Sequence, residues 1–264
     1  MGDELRIGVA VKHGIDVGLV KADPSTGTVD LSSAPRKTSD FDKNAVEEAV
    51  RIRERRGKGQ VTAISVGAPA ARESLREALA IGADEAILVS DPALPQPDTR
   101  AVARALAAVY RKVGGFDLFL FGEGSTDHFS GLVGPRVAGE LGIPSLSHVR
   151  RLQVQDGEIE VERDLEEEVE VLRARGPVVV TVGQEINTPR LPTFMANLKA
   201  SKREIRQWTL TDLGLSGTVL QSHLRTDRVA VPQVPRKRQV LSGSSPEEVA
   251  QRLLSVLRSE GVLP

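Results

Sequence analysis

Residues 116–141 read FDLFLFGEGSTDHFSGLVGPRVAGEL. The apolar run at 116–121 lies between glycines, as is typical of a buried parallel strand. A small polar loop follows at 122–127, and apolar residues then recur at helical spacing, at Leu132, Val133, Val137, Ala138 and Leu141. The order of strand, glycine-containing loop and helix favours a phosphate site, because free N–H groups and the helix dipole face the loop.

The loop itself leaves two interpretations open. It has neither the lysine of a Walker A motif nor the GxGxxG spacing of a dinucleotide fold. Glycine-rich turns also end many strands for steric reasons alone. The loop therefore predicts either a nucleotide phosphate site or an ordinary tight turn.

Composition narrows the class of protein. The 264 residues suffice for one large domain or one domain with appendages. A net charge of -1 gives no general attraction to nucleic acid or to an anionic membrane. The absence of cysteine excludes disulfides and thiol catalysis. The four histidines form no HxxxH or HxH pair, which argues against a zinc site.

Targeting signals are also missing from the sequence. The N-terminus lacks a basic segment followed by an apolar one, so we expect no secretion signal. No run approaches the roughly 20 apolar residues of a membrane span. We therefore expect a cytoplasmic protein that does not insert into membranes.

The first half of the chain alternates between strands and helices. We predict strands at 5–11, 61–66, Glu85–Val89 and 116–121, a hairpin at 18–31, and helices at Asp40–Arg56, 71–81, 100–113 and from Ser130. This alternation predicts a mostly parallel sheet. Ligands of such sheets bind beyond the carboxyl ends of the strands, here 10–14, 66–67 and 122–127.

The pattern changes after Pro144. Strands at 147–154, 157–163, 168–175 and 177–181 follow without helices, which predicts an antiparallel addition whose last strand returns to the core. Residues 187–206 carry two prolines and are expected to form a protruding loop. We predict an α/β domain at 1–207 and an extended arm at 208–264 with a final helix at 249–257, and we expect this arm to lie either against its own domain or against a partner.

Several stretches together resemble the beta subunit of electron transfer flavoproteins over nearly the whole chain. They are Val9-Ala10-Val11-Lys12, Phe41-Asp42, residues 45–49, Ser65-Val66-Gly67, residues 73–84 (ESLREALAIGAD), residues 161–181 (VERDLEEEVEVLRARGPVVVT), Pro189-Arg190 and Lys199-Ala200. The resemblance implies a three-layer α/β nucleotide-binding fold of the adenine nucleotide hydrolase-like type. It also implies a heterodimer with an alpha subunit and an FAD shared with that subunit. The expected role is that of an electron carrier, not an enzyme, between flavin dehydrogenases and a downstream acceptor or quinone reductase.

The resemblance also assigns residues. Contacts to AMP, or to a second FAD in electron-bifurcating members, fall on Ala10, Ser39, Val66, Gly122, Gly124, Ser125, Thr126, Asp127, Ser130, Gly131 and Leu132. Asp98 and Thr99 match a second-FAD contact or a simple helix N-cap, and His13 and Val17 fall near the redox flavin. The partner-binding positions are Phe194, Met195, Lys199, Lys202 and Arg203. Asp164 replaces a glutamate that fixes domain orientation.

The chain departs from the family pattern around the nucleotide. The family usually has Asn-Pro at Ser39-Asp40, Gln at Gly124 and Leu132, and Asp at Phe129. Side-chain hydrogen bonds to a nucleotide are thereby lost, although backbone contacts need no particular side chain. A scaffold that has lost its nucleotide therefore remains an alternative. A nucleotide hydrolase would need a carboxylate cluster or a phosphate-binding lysine near the loop, and the sequence indicates neither.

Overall fold

The computed structural model describes residues 4–23, 25–31, 33–94, 97–155, 157–216, 222, 224, 226–227, 229–231 and 236–264. The strands are β1 (Arg6–Ala10), β2 (His13–Ile15), β3 (Arg36–Thr38), β4 (Gln60–Val66), β5 (Glu85–Val89), β6 (Leu118–Gly122), β7 (Ser145–Gln155), β8 (Glu158–Asp164), β9 (Val169–Arg175), β10 (Val178–Val182) and β11 (Arg206–Trp208). The helices are α1 (Asp40–Arg56), α2 (Arg72–Ile81), α3 (Thr99–Lys112), α4 (Val133–Leu141), α5 (Phe194–Lys202) and α6 (Pro246–Ser259).

Nine strands form one sheet in the order β11-β5-β4-β1-β6-β10-β7-β8-β9. The pairs from β11 to β7 are parallel, whereas β7, β8 and β9 pair antiparallel. The mostly parallel α/β fold, the antiparallel addition and the return of β10 to the centre are thus confirmed. The chain adds β4 and β5 on one side of β1 and then crosses to β6 on the other side. The reversal of strand order between β1 and β6 is where ligands of such sheets bind.

Alternate side chains of β6 explain the three layers. Leu118 and Leu120 belong to the core cluster that contains the apolar faces of α1 and α2. Phe119 and Phe121 belong to the opposite cluster, with α3 and α4. Because successive side chains of a strand point to opposite faces, a continuously apolar strand needs a helical layer on each side.

The structure corrects four local predictions. The described part of 18–31 contains no named strand: Asp23 N donates to Thr28 O at 2.9 Å across the tip, Thr28 forms a bridge with Ala230, and the local antiparallel pair is β2 with β3. Strand β6 begins at Leu118 instead of Phe116, and Asp117 immediately before it accepts through Oδ2 from Arg6 N at 2.9 Å. Helix α4 begins at Val133 instead of Ser130.

The fourth correction concerns the segment at 187–206. Its second half forms helix α5, where an irregular loop was expected. Thr193 caps the helix by accepting from Ala196 N at 3.1 Å. Pro192 immediately precedes this N-cap, so it adjoins the helix without interrupting it.

The chain divides into two compact units. One comprises Met1–Lys21 and Val29–Val229, and the other comprises Ala22–Thr28 and Ala230–Pro264. In the second unit, Ser245 caps α6 by accepting from Glu248 N at 3.3 Å. The predicted boundary at residue 208, between the α/β domain and an arm that packs on the alpha subunit, stays a prediction. Among the described residues, no helix combines the length and apolarity needed to cross a bilayer.

Candidate functional site

One buried carboxylate joins the ends of the two strands that border the switch in strand order. Asp42, in the first turn of α1, accepts from Lys12 N just beyond β1 at 2.7 Å and from Gly122 N at the end of β6 at 3.2 Å. A Cβ on residue 122 would lie 2.5 Å from Asp42 Oδ1, so only glycine allows this approach. Asp42 therefore fixes the floor of the crevice.

The environment of Asp42 is strongly desolvating. Burial raises the pKa of this carboxyl to about 7, against the lowering effect of its hydrogen bonds from the N–H groups of Lys12 and Gly122. The group therefore changes charge near neutral pH. Sequence reasoning used Asp42 only as part of a family motif. Its bridging role depends on strands that are distant in the chain.

An ion pair between Lys12 and Asp127 holds the loop at 122–127 in place. Lys12 Nζ donates to Asp127 Oδ1 at 2.5 Å and to Ser125 Oγ at 3.1 Å. Asp127 Oδ2 accepts from Ile15 N at 3.2 Å. Although burial favours the protonated acid, hydrogen bonds from Lys12 and Ser125 hold the pKa of Asp127 well below its usual range. The carboxylate of Asp127 is therefore engaged within the protein.

The position of Lys12 corrects the prediction that no lysine lies near the loop. The structure places its ammonium beside Ser125 and Asp127, about 113 and 115 residues away in sequence. No local motif connects these positions, so the lysine was missed. Because its ammonium is paired with Asp127, Lys12 supports the loop.

Backbone N–H groups of the loop remain available to a ligand. Gly122 N, Glu123 N and Phe129 N donate within the chain. Within the described ranges, no acceptor contacts the N–H groups of Gly124, Ser125 and Thr126, or those of Ser130, Gly131 and Leu132. Helix α4 follows without a side-chain N-cap. Such an arrangement binds anions through amides and the helix dipole.

Two buried hydroxyls beside the same strand ends also lack partners. In the part of the chain that the structure describes, neither Ser39 Oγ nor Ser65 Oγ has a hydrogen-bond partner. Ser39 lies next to the end of β1, where its N–H donates to Lys12 O at 3.1 Å, and Ser65 precedes Val66 at the end of β4. Ala10, the last residue of β1, is buried. Buried hydroxyls are nearly always hydrogen-bonded, so these two groups fit a site whose ligand carries donors and acceptors, such as a nucleotide.

An aromatic ring occupies one side of the loop. Phe129 has φ 43° and packs against Phe41, with ring centroids 5.3 Å apart. A Cβ on residue 124 would lie 2.5 Å from the Phe129 ring, so the ring rests directly on Gly124. Phe129 and Leu132 nevertheless remain 58% and 44% exposed. The predicted contacts at Gly124 and Leu132 stay predictions.

Comparison with known proteins decides the family. The family model described as "Electron transfer flavoprotein domain" matches residues 26–213. The chain is 36% identical to "Electron transfer flavoprotein subunit beta" of Thermoanaerobacterium thermosaccharolyticum over 98% of its own length and all of that protein. The chain belongs to the electron transfer flavoprotein beta subunit family. It is also 35% identical to the Bacillus subtilis protein of the same description, over 89% of this chain and 91% of that one.

The positions that the family assigns to the redox flavin lie on and after β2. His13 Nδ1 is 2.9 Å from Ser74 Oγ of α2, and burial lowers the pKa of His13. Val17 begins the 3₁₀ turn Val17–Leu19 and is half exposed. The β2 segment is also joined to the loop at 122–127 through Ile15 N, which donates to Asp127 Oδ2. Proximity of His13 and Val17 to a flavin stays a prediction.

The positions assigned to a second FAD have structural roles of their own. Asp98 caps α3 by accepting from Ala101 N at 2.8 Å, and Thr99 Oγ1 accepts from Arg136 Nη1 of α4 at 2.8 Å. The N-cap interpretation of Asp98 is thus confirmed, and the FAD contact stays a prediction. Asp164, assigned to domain orientation, lies 3.4 Å from Arg150 Nη1 and is exposed.

The partner-binding positions of the family lie on and around α5. Phe194 is 79% exposed, and Leu191 and Met195 beside it are also exposed. Lys199 and Lys202 are exposed on the same helix. Arg203, in contrast, donates through Nη1 to Ala83 O at 3.2 Å and through Nη2 to Asp84 O. Arg203 therefore joins α5 to the α2–β5 turn while it remains exposed, and its contact with a partner stays a prediction.

Proposed function

We propose that this chain is the beta subunit of a heterodimeric electron transfer flavoprotein that binds an adenine nucleotide in the crevice between β1, β4 and β6. The observation that supports the nucleotide most directly is a set of loop N–H groups for which the described residues provide no acceptor, beside the N-terminus of α4; they belong to Gly124, Ser125, Thr126, Ser130, Gly131 and Leu132. Family membership supports the electron-carrier role.

Different residues of the crevice would bind different parts of AMP. Loop amides and the α4 dipole suit a phosphate, which presents several acceptor oxygens and negative charge. The buried Ser39 and Ser65 hydroxyls suit polar groups of the nucleoside. Asp42 and the Lys12–Asp127 pair would hold the loop in shape without touching the ligand. Such positioning by the protein lowers the cost of binding.

The redox chemistry would belong to FAD shared with an alpha subunit, since flavin accepts electrons from a donor and passes them on. This chain would contribute the β2 segment beside the flavin and the exposed α5 surface for dehydrogenases. No acid–base group of the chain needs to react. We further propose that the assembly works in the cytoplasm and delivers electrons to a downstream acceptor or quinone reductase.

Ligand analysis of the complex tests the proposal. The chain is co-expressed with an alpha subunit, purified and denatured, and the released small molecules are identified by mass spectrometry. We expect FAD and AMP in equimolar amounts. Twice as much FAD and no AMP would indicate an electron-bifurcating member. Flavin without any second nucleotide would favour the alternative of a scaffold that has lost its nucleotide.

One contact supports the alternative of a scaffold that has lost its nucleotide. The Phe129 ring covers Gly124, where most of the family has a glutamine. If the ring excludes the nucleotide, Phe129→Asp, which restores the usual family residue, should recover AMP in the denatured complex. If the wild-type complex already carries AMP, this alternative is rejected.

A further inference from the structure

A surface cavity of about 440 Å³ lies far from the nucleotide crevice. Its walls are the C-terminal half of α1, the 3₁₀ turn at Gln184–Ile186 and the outer part of β7. Counting along α1 at 1.5 Å per residue, Arg56 is roughly 20 Å from Asp42. Four arginines line the cavity: Arg51, Arg55, Arg56 and Arg151.

Three of these four guanidinium groups face a carboxylate. Arg51 Nε lies 2.6 Å from Glu47 Oε1, and Arg55 Nη2 lies 2.7 Å from Glu48 Oε1. Arg151 Nη1 lies 2.9 Å from Glu162 Oε1 on the neighbouring strand. Their charges are therefore compensated within the protein.

Arg56 differs from the other three. Its Nε is buried, and the described residues offer it neither a hydrogen-bond acceptor nor a carboxylate at ion-pairing distance. A buried N–H donor without an acceptor is unfavourable, and buried donors in proteins are nearly always satisfied. Arg56 thus gives the wall of the cavity a positive charge that no described carboxylate pairs, while its Nε itself is closed to solvent.

We propose that the cavity binds a small oxyanion, a carboxylate or a phosphate, on the guanidinium of Arg56. The fork of N–H groups on arginine matches two oxygens of either group, and the contact is strengthened by the opposite charge. One excess positive charge suits one bound anionic group. The glutamines at 153 and 155 provide further polar groups in the wall.

Anion-dependent stability tests the proposal on the full-length chain in complex with its alpha subunit. Melting temperature is measured against inorganic phosphate at constant ionic strength set with chloride, in the presence of saturating AMP so that the nucleotide crevice is filled. A second series uses acetate to separate carboxylate from phosphate. We expect saturating anion to raise the melting temperature by about 2 °C or more.

The Arg56→Gln variant should weaken the apparent affinity for the anion roughly tenfold or more, since it removes a charge-assisted contact. Arg175→Gln is the matched control, because it removes an exposed guanidinium that pairs with Glu158 outside the cavity. It should respond to the anion as the wild type does. If Arg56→Gln does not fold, Arg56→Lys, which keeps the charge but loses Nε, should show an intermediate affinity.

Two outcomes would overturn the inference. The wild-type complex would show no difference between phosphate, acetate and chloride, or both Arg56 variants would keep the full wild-type response. Neither outcome bears on AMP in the crevice, so the inference and the proposed function fail separately.

Discussion

Two serine hydroxyls give the most local test of the nucleotide site. Ser39 Oγ and Ser65 Oγ are buried and unpartnered among the described residues, so Ser39→Ala and Ser65→Ala should leave the stability of the nucleotide-free protein nearly unchanged. If a bound nucleotide supplies their partners, each change should weaken AMP binding by about 1 kcal/mol, or roughly fivefold. Isothermal titration with AMP measures the affinity, and urea unfolding measures the stability.

The control for these variants is Ser74→Ala. Ser74 is equally buried, but its hydroxyl lies 2.9 Å from His13 Nδ1. Its loss should therefore cost about 1 kcal/mol of stability without a direct effect on AMP. Unchanged AMP affinity in Ser39→Ala and Ser65→Ala would place the nucleotide elsewhere.

The carboxyl of Asp42 predicts a specific pH dependence of stability. Its pKa is raised from 3.8 in the unfolded chain to about 7 in the folded one, so the folded state binds the proton more tightly. A group of this kind contributes stability that is complete below the unfolded pKa and is lost as pH rises through the folded pKa. Between pH 5 and pH 8 the loss should amount to about 2–3 kcal/mol.

Asp42→Asn isolates this contribution, because asparagine has a similar shape and does not titrate. The free energy of unfolding is measured in urea at several pH values for both proteins. We expect wild type to lose stability relative to Asp42→Asn as the pH rises through 7. A difference that stays constant from pH 5 to pH 8 would contradict the prediction.

At the scale of elements, helices and strands were predicted correctly where the apolar pattern lies within one continuous segment. Helix α1 and strand β5 have the bounds that their apolar patterns predicted. At 18–31 the turn signal was local, and Gly27 N does donate to Asp23 O at 2.8 Å, but Thr28 forms its bridge with Ala230, about two hundred residues away. The three-residue strands β2 and β3 are too short to show a period.

In the candidate site, too, only the features that are local in sequence could be predicted. The glycine loop after β6 was visible, because strand, loop and helix are contiguous in sequence. The bridge of Asp42 between Lys12 and Gly122, and the pair of Lys12 with Asp127, join segments that only the sheet order brings together. A single sequence contains no signal for such contacts.

Helix α5 carries the prediction about partner recognition. Phe194 is exposed at the first position of the helix, next to Leu191 and Met195. An exposed aromatic anchor is typical of an interface hot spot, so Phe194→Ala should lower the rate of electron transfer from a dehydrogenase about tenfold or more. Stopped-flow reduction of the flavin measures this rate.

The same variant should keep its flavin and its melting temperature, because the side chain is 79% exposed. Met195→Ala, at the neighbouring position, should give a smaller effect of the same kind. A parallel loss of flavin and rate would show that Phe194 supports folding and does not contact the dehydrogenase.

At the scale of the whole molecule, the described residues of the second compact unit include no buried apolar side chain. None of the residues of α6 is buried, and Leu253 and Leu254 are 46% and 45% exposed. A helix with an apolar stripe gains most of its stability from packing that stripe against another surface. In this family the natural candidate is the alpha subunit, which fits the expectation that the C-terminal arm docks on a partner.

Substitution of both leucines tests this docking. The double substitution Leu253→Ser and Leu254→Ser removes apolar area whose burial in the interface would contribute about 2 kcal/mol or more to binding. The dissociation constant for the alpha subunit should therefore rise at least tenfold. Analytical ultracentrifugation of the co-expressed pair measures it. Gln251→Ala changes an exposed polar residue of the same helix and should leave assembly intact. If the double variant assembles as tightly as wild type, these two leucines do not hold the alpha subunit, and the proposed docking through this part of α6 is wrong.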